Sequence, residues 1–391
     1  MKSVLVVGAG LSGLSAAWHL AKRGAAVHVV CAGAEPGGLI KTRRVREGLV
    51  ETGANSLVMT ERAREFCADI GVTLCEPLRE SRRRYVYRDG RPRRFPLTVA
   101  EAIGGGASFV AAVISRSTKA RSGESVAAWG HRVVGRAVTD RLLAPVLQGV
   151  YAAPADRLAA QAVFGSRRGR KGGIGAPATG MGELIERLAD RLSEKGVRIE
   201  YGVKLDRVPA SERVVICTAA PAAAGLLASH APELAAAVGR IDVGPALSVT
   251  AFFEPASTDL HGFGVLFPRG AGINALGVLF NDDIFPGRST MRSETWILGA
   301  TPAAGGGDES ILTSCVLPDR QRLMAATARP IASYVTRWAQ GIPVYDDAVL
   351  AAGELMRTLP PWLGLAGNYL GRIGVASLIE VSEEAATRVL A

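Results

Sequence analysis

Three glycines near the amino terminus, Gly8, Gly10 and Gly13, stand in the spacing GxGxxG. They follow the apolar run KSVLVV and open the amphipathic stretch LSGLSAAWHLAKRG, a context in which the spacing carries chemistry. The first glycine permits a tight turn, the second lets the backbone approach a pyrophosphate, and the third lets helix and strand pack closely. Leu11 and Ser12 then begin the helix, whose positive amino-terminal end suits the phosphates of a dinucleotide. The standard pattern ends the next strand with an acid that receives ribose hydroxyls, but here VHVVCAGAEPGG places Cys31 at that position. A thiol is a poor acceptor, so some ribose affinity is lost unless Glu35 or a backbone carbonyl substitutes; Cys31 itself also reads as a small buried hydrophobe. A second glycine pair, Gly37 and Gly38, precedes Lys41 and Thr42, and GLVETGANSL follows with Gly53 and Ala54. Read without further context, these are ordinary turn residues.

The elements that must position these residues form a βαβ unit of about thirty residues: strand 2–7, a helix with Leu11, Leu14, Ala17, Trp18 and Ala21 on one face, a stop at Gly24, and the strand AAVHVV. A helical pattern over 98–168 and alternating β-rich runs with turn signals over 243–298 interrupt the nucleotide-binding pattern. It returns at 181–219 and again at 363–390. The expected class is α/β: a Rossmann-like dinucleotide-binding domain with an inserted antiparallel-sheet substrate domain and a helical layer. Its boundaries are 1–78, 172–228 and 349–391 for the nucleotide domain, 79–97 and 229–348 for the substrate domain, and 98–171 for the helical layer.

Bulk properties narrow the function. A chain of 391 residues that is 48% hydrophobic can fill two or three cores. Its five scattered cysteines and five dispersed histidines form no CxxC or HExxH pair, so no metal is expected and a reducing cytoplasm fits best. The amino terminus enters the first strand directly, without the pattern of a secretory signal. Net charge is +10, carried mostly by arginine and densest over 79–94. The arginines are not interleaved with aromatics in any recognition motif, which disfavours nucleic acid. GC-rich coding, anionic lipid or a carboxylate-bearing substrate would each account for the charge. The longest apolar run, AEAIGGGASFVAAVI, is too short to span a bilayer and is broken by glycines, which leaves a peripheral membrane contact open.

The glycine pair with its acid-Gly-x-Asn continuation resembles the flavin amine oxidase superfamily. Further segments resemble it in the same order: RRRYVYRDGRPRRFP, LLAPVLQGVYAAPADRLA, ATGMGELIERLADRL and LAGNYLGRIGVASLIE. GFGVLFP with ALGVLFNDDIFPGR resembles the porphyrinogen-oxidising branch, the protoporphyrinogen oxidase family. The resemblance implies FAD contacts from Gly37, Gly38, Lys41, Thr42, Gly53 and Ala54, and at the carboxyl end from Gly367, Asn368, Gly374 and Val375. The helix beginning at Val375 would point its amino terminus at the pyrimidine edge of the ring, where reduced flavin carries negative charge. Leu39 stands where the family has a basic residue.

The resemblance also implies a substrate site. Arg84 would pair with a propionate, Asn55 would touch the macrocycle, Gly149 would leave room beside it, and Leu266 and Leu279 would sandwich it near the flavin. An arginine in a run of three can equally be solvated, and two leucines can equally be core. SETWILGA, around Trp296 and Ile297, departs from an aromatic clamp found in some members. The implied reaction removes hydride from a bridging methylene, three times over, with dioxygen as acceptor and hydrogen peroxide as product. No side-chain base is demanded and none is named. Coproporphyrinogen III in place of protoporphyrinogen IX, another superfamily oxidase or desaturase, and a non-catalytic flavin-binding protein remain alternatives, and a homodimer remains open.

Overall fold

A computed structural model of the chain describes residues 2–94, 118–165, 172–209, 212–299 and 305–391. Five parallel strands form one sheet, in the order Arg198–Tyr201, Ala26–Cys31, Ser3–Val7, Arg213–Ile216 and Leu363–Leu365. Strands from three separated stretches of sequence therefore lie side by side. The two central strands carry Val4, Val6, Val214, Val215 and Ile216 with no exposed surface, as a sheet covered on both faces requires. On one face lie the helices Leu11–Lys22, Gly182–Glu194 and Val375–Leu390; Ala220–Leu227 and Pro232–Gly239 belong to the core on the other.

The second sheet has seven strands, in the order Ala332–Pro343, Val243–Phe253, Arg292–Leu298, Ala275–Phe280, Gly264–Leu266, Arg84–Arg88 and Arg91–Arg94. All neighbours are antiparallel except Gly264–Leu266 with Arg84–Arg88, which run parallel, so the expected antiparallel sheet is mixed at that one seam. The strand Arg84–Arg88 arrives from the amino-terminal part of the chain, and its parallel pairing is what a long-range connection permits. One face packs Val249, Val265, Val278, Trp296 and Val335 against the helical segment 308–324. The other face looks toward the nucleotide-binding domain: Trp338 donates its indole N–H to the Thr52 carbonyl at 2.7 Å, and the Tyr334 hydroxyl donates to Glu47 at 3.0 Å.

Of the helical layer, the described part comprises Val126–Val133, a helix over 136–151 with a π turn at Thr139–Leu143, and Ala160–Phe164. The stretch 100–114, singled out for its apolar run, lies outside the described residues. Among the described residues no helix is long and apolar enough to cross a membrane.

Candidate functional site

Because the five strands are parallel, the segments that follow them all emerge at one edge of the sheet, where ligands of such folds bind. The Gly8–Gly13 turn, the Cys31–Gly38 loop, Cys217 and the 366–374 loop therefore meet there. The three glycines divide their work as the spacing implies. Gly8 has φ +110°, and a Cβ on it would lie 2.6 Å from the Cys217 carbonyl oxygen. On Gly13 a Cβ would lie 1.8 Å from the Gly8 carbonyl, so helix and turn touch backbone to backbone. At Gly10 the nearest atoms to such a Cβ are 3.9 Å away, which leaves the middle glycine facing room.

Gly10 caps the helix Leu11–Lys22 without any side-chain hydrogen bond, and the first turn holds no acid. Gly374 caps Val375–Leu390 in the same way, again with no acid in the first turn. Two helices thus begin at a glycine, with no capping side chain and no acid in the first turn, at one edge of the sheet, which fits an anionic dinucleotide. Gly37 closes the cradle: its N–H donates to Ala9 at 2.9 Å, and it bridges Gly10 in parallel register. Gly38, at φ +58°, sits with its would-be Cβ 3.5 Å from the Gly10 Cα. Gly53 could carry no side chain, since a Cβ there would stand 2.3 Å from the Leu39 carbonyl. Gly38, Gly53 and Gly374 are exposed, Ala54 and Asn368 half-buried, and Val375 and Gly367 buried.

Other candidates turn out to be engaged within the protein. Lys41 pairs with Glu35 at 2.6 Å, and that cation holds the Glu35 carboxyl below its ordinary range. The Thr42 hydroxyl donates to Glu51 at 2.7 Å and accepts the Gly182 N–H at 2.8 Å, which makes it a joint between hairpin and helix. Cys31 is half-buried, and its carbonyl accepts the Val203 N–H at 2.9 Å. Glu35 and the Cys31 carbonyl thus each have one partner within the protein and each keep a lone pair for a ribose hydroxyl. Leu39 is half-buried and offers the loop no charge.

Side-chain alternation places the substrate candidates together. Arg84 pairs with Gly264, Gly264 with Leu279, Leu279 with Thr295, and Thr295 with Thr250, in register across the sheet. Residues opposite one another point to one face, so Arg84, Leu279 and, two residues on, Leu266 share the face of Trp338 and Tyr334 that meets the nucleotide domain. Gly149 reaches the same place from the helical layer, where its would-be Cβ would lie 2.8 Å from Leu266 Cδ2. Arg84 is exposed, with its guanidinium 4.7 Å from the Phe263 ring centre. Asn55 offers its carbonyl to Arg288 at 3.4 Å. Of the clamp stretch, Ile297 is on the cofactor-facing side, whereas Trp296 is fully buried on the opposite face, stacked on Phe267 at 6.0 Å.

Sequence reasoning passed over two features. Glu51 and Arg288 form an ion pair with side chains only 3% exposed, linking the two domains. Tyr369, inside the carboxyl-terminal loop, is fully buried with its hydroxyl unpartnered, and burial pushes its pKa well above the usual phenol range. Glu51 sits inside the quoted GLVETGANSL and Arg288 ends FPGR, but nothing local says that they meet.

Comparison with known proteins decides what holds this geometry. The family model "Flavin containing amine oxidoreductase" matches residues 11–372. The chain belongs to that family. It is an FAD-dependent oxidoreductase. Among curated relatives, protoporphyrinogen oxidase 2 (chloroplastic/mitochondrial) of Arabidopsis thaliana is 26% identical, with 100% of this chain and 94% of that protein covered. Coproporphyrinogen III oxidase of Mycobacterium tuberculosis (strain ATCC 25618 / H37Rv) is 24% identical, covering 100% and 97%. Cyclohexylamine oxidase from Brevibacterium oxydans IH-35A superposes with a TM-score of 0.75 at 16% identity, over 99% of this chain and 98% of that one, a likeness of fold.

Proposed function

We propose that the protein oxidises a porphyrinogen, protoporphyrinogen IX, to the porphyrin, using dioxygen and releasing hydrogen peroxide. The observation that carries this reading is the apolar face of Leu266 and Leu279, with Gly149 against it and Arg84 at its edge, turned toward the cofactor cleft. A porphyrinogen is a broad apolar ring with ionised propionates at one side. A leucine face with one exposed guanidinium at its rim matches that distribution of polarity. Full-length relatives named as porphyrinogen oxidases support the same reading.

FAD would supply a two-electron acceptor at N5, to which a meso methylene gives hydride. The chain's share is placement and exclusion of water: Leu266 and Leu279 hold the ring plane, Gly149 lets Leu266 pack close against the helical layer, and Arg84 fixes the ring's orientation through a propionate. Six electrons must leave the porphyrinogen, so three turns consume three dioxygen molecules and release three of peroxide. One proton leaves with each hydride, two in all from pyrrole N–H groups and one from the fourth meso carbon after tautomerisation; these protons balance the peroxide, and aromatisation supplies the driving force. Gly374 at the amino terminus of Val375–Leu390 would stabilise negative charge on the ring's pyrimidine edge.

Coproporphyrinogen III is the second reading, favoured by the mycobacterial relative and by the net charge of +10, which suits four propionates. The test is aerobic conversion of each colourless porphyrinogen to fluorescent porphyrin by the purified yellow protein, with peroxide measured alongside. Faster turnover of protoporphyrinogen supports the first reading, and faster turnover of coproporphyrinogen the second. A flavin-loaded protein that turns over neither overturns both.

A further inference from the structure

We propose that Arg288 is a positioning residue, which sets the Thr52–Asn55 segment against the flavin from across the domain boundary. This rests on the reading of that segment as lining the cofactor and substrate. One carboxylate gathers the surrounding pieces: Glu51 accepts from the Arg288 guanidinium and, at 2.8 Å, from the Met181 N–H, while its second oxygen accepts from Thr42 at 2.7 Å. The other arm of the guanidinium donates to the Asn55 carbonyl at 3.4 Å, and its plane lies 5.3 Å from the Phe285 ring centre. The main chain repeats the connection, because the Arg288 carbonyl accepts the Leu49 N–H at 2.8 Å and Ser289 donates to the Glu47 carbonyl at 2.7 Å. Arg288 therefore touches the hairpin Thr42–Glu51, the loop that leaves it and, through Glu51, the start of the helix Gly182–Glu194.

A pair buried this deeply adds little to stability beyond what an apolar pair of equal volume would give, so its geometry is the more informative property. A guanidinium fork can reach Glu51 and Asn55 at once, whereas an ammonium serves as a single point charge. Trp338 and Tyr334 hold the same segment at Thr52 and Glu47, so the domains stay joined when Arg288 is altered. What is lost is the register of residues 52–55.

The experiment uses the full chain with Arg288→Lys, and with Arg288→Met combined with Glu51→Gln, a neutral pair that keeps an acceptor for the Met181 N–H. FAD affinity of the apo-protein, the visible spectrum and circular dichroism of bound flavin, and the split between kcat and KM are compared with wild type. Both variants are expected to fold, to bind FAD about tenfold more weakly or worse, and to show an altered flavin dichroism band with kcat reduced more than KM is raised. If the lysine variant fails to fold, the neutral pair supplies the answer alone. Wild-type FAD affinity and dichroism in a folded variant would overturn the proposal and leave the pair as a mere fastener. A wild-type protein that binds FAD but ignores porphyrinogen would sink the substrate reading, while the affinity and dichroism results still decide on Arg288.

Discussion

The parallel sheet and the mixed sheet are both buried, yet they are filled with opposite chemistry. Val4, Val6, Val214, Val215 and Ile216 make the centre of the first sheet from hydrocarbon alone. In the second, the strand Arg292–Leu298 buries Arg292 and Glu294 completely, and the segment packed on it buries Arg320 completely. Glu294 takes the Arg320 guanidinium at 3.1 Å and the Trp296 indole N–H at 3.1 Å, while Arg292 reaches Asp283 at 2.8 Å. Both arginines also lie over rings, Arg292 4.0 Å from the centre of Phe280 and Arg320 3.7 Å from that of Phe253. The difference teaches where precision is needed. The parallel sheet has only to aim glycine turns at a phosphate chain, which backbone geometry accomplishes. The mixed sheet must hold Leu266, Leu279 and Arg84 on one face, and directional ion pairs on the other face fix the strand register that does so.

Breaking the ionic face should have the largest effect. Glu294→Ala leaves the buried Arg320 guanidinium without its carboxylate and the Trp296 indole N–H without its acceptor, while Arg292 keeps Asp283, and is expected to cost about 3–5 kcal/mol in urea unfolding. A cost near that of an ordinary surface change would refute the contrast drawn between the sheets. Gly13→Ala tests the other sheet through its turn. With no room beside the Gly8 carbonyl, overpacking of about 1–3 kcal/mol is expected, together with at least about tenfold weaker FAD binding in a flavin titration.

A sharper test of the cofactor-facing side is Arg84→Ala, which should raise KM for a porphyrinogen by the equivalent of about 1.5–3 kcal/mol while sparing kcat. Unchanged kinetics would remove Arg84 from the site. A last test concerns the far end of the first helix, where burial lowers the His19 imidazole from 6.5 to about 4. Folded His19 resists protonation and unfolded His19 does not, so the unfolded state binds more protons between those values. Stability from this group is present above pH 6.5 and lost as pH falls toward 4, by at most about 1.4 kcal/mol per pH unit. His19→Gln should flatten that slope in acid denaturation followed by circular dichroism.

The same contrast explains what could be read from the sequence. The first strand and helix were legible at 2–7 and 11–24 because their periodicity is local, and they stand at Ser3–Val7 and Leu11–Lys22. The glycine turn was legible because backbone geometry demands a residue type. Arg84, Gly149, Leu266 and Leu279 reached one face through the family resemblance; their own neighbours in sequence say only arginine run, helix and core. The ionic face and the Glu51–Arg288 pair could not be read at all. Their partners are 26 and 237 positions apart, and a charged residue in a strand looks solvent-facing until the segment that covers it is known.

Anaerobic mixing of the FAD-loaded protein with a porphyrinogen tests the central claim most directly, because it removes dioxygen and watches the cofactor alone. The account predicts that the yellow flavin band bleaches in a single turnover, at a rate no slower than aerobic kcat, and returns when air is admitted. A flavin that stays oxidised beside intact porphyrinogen would contradict it.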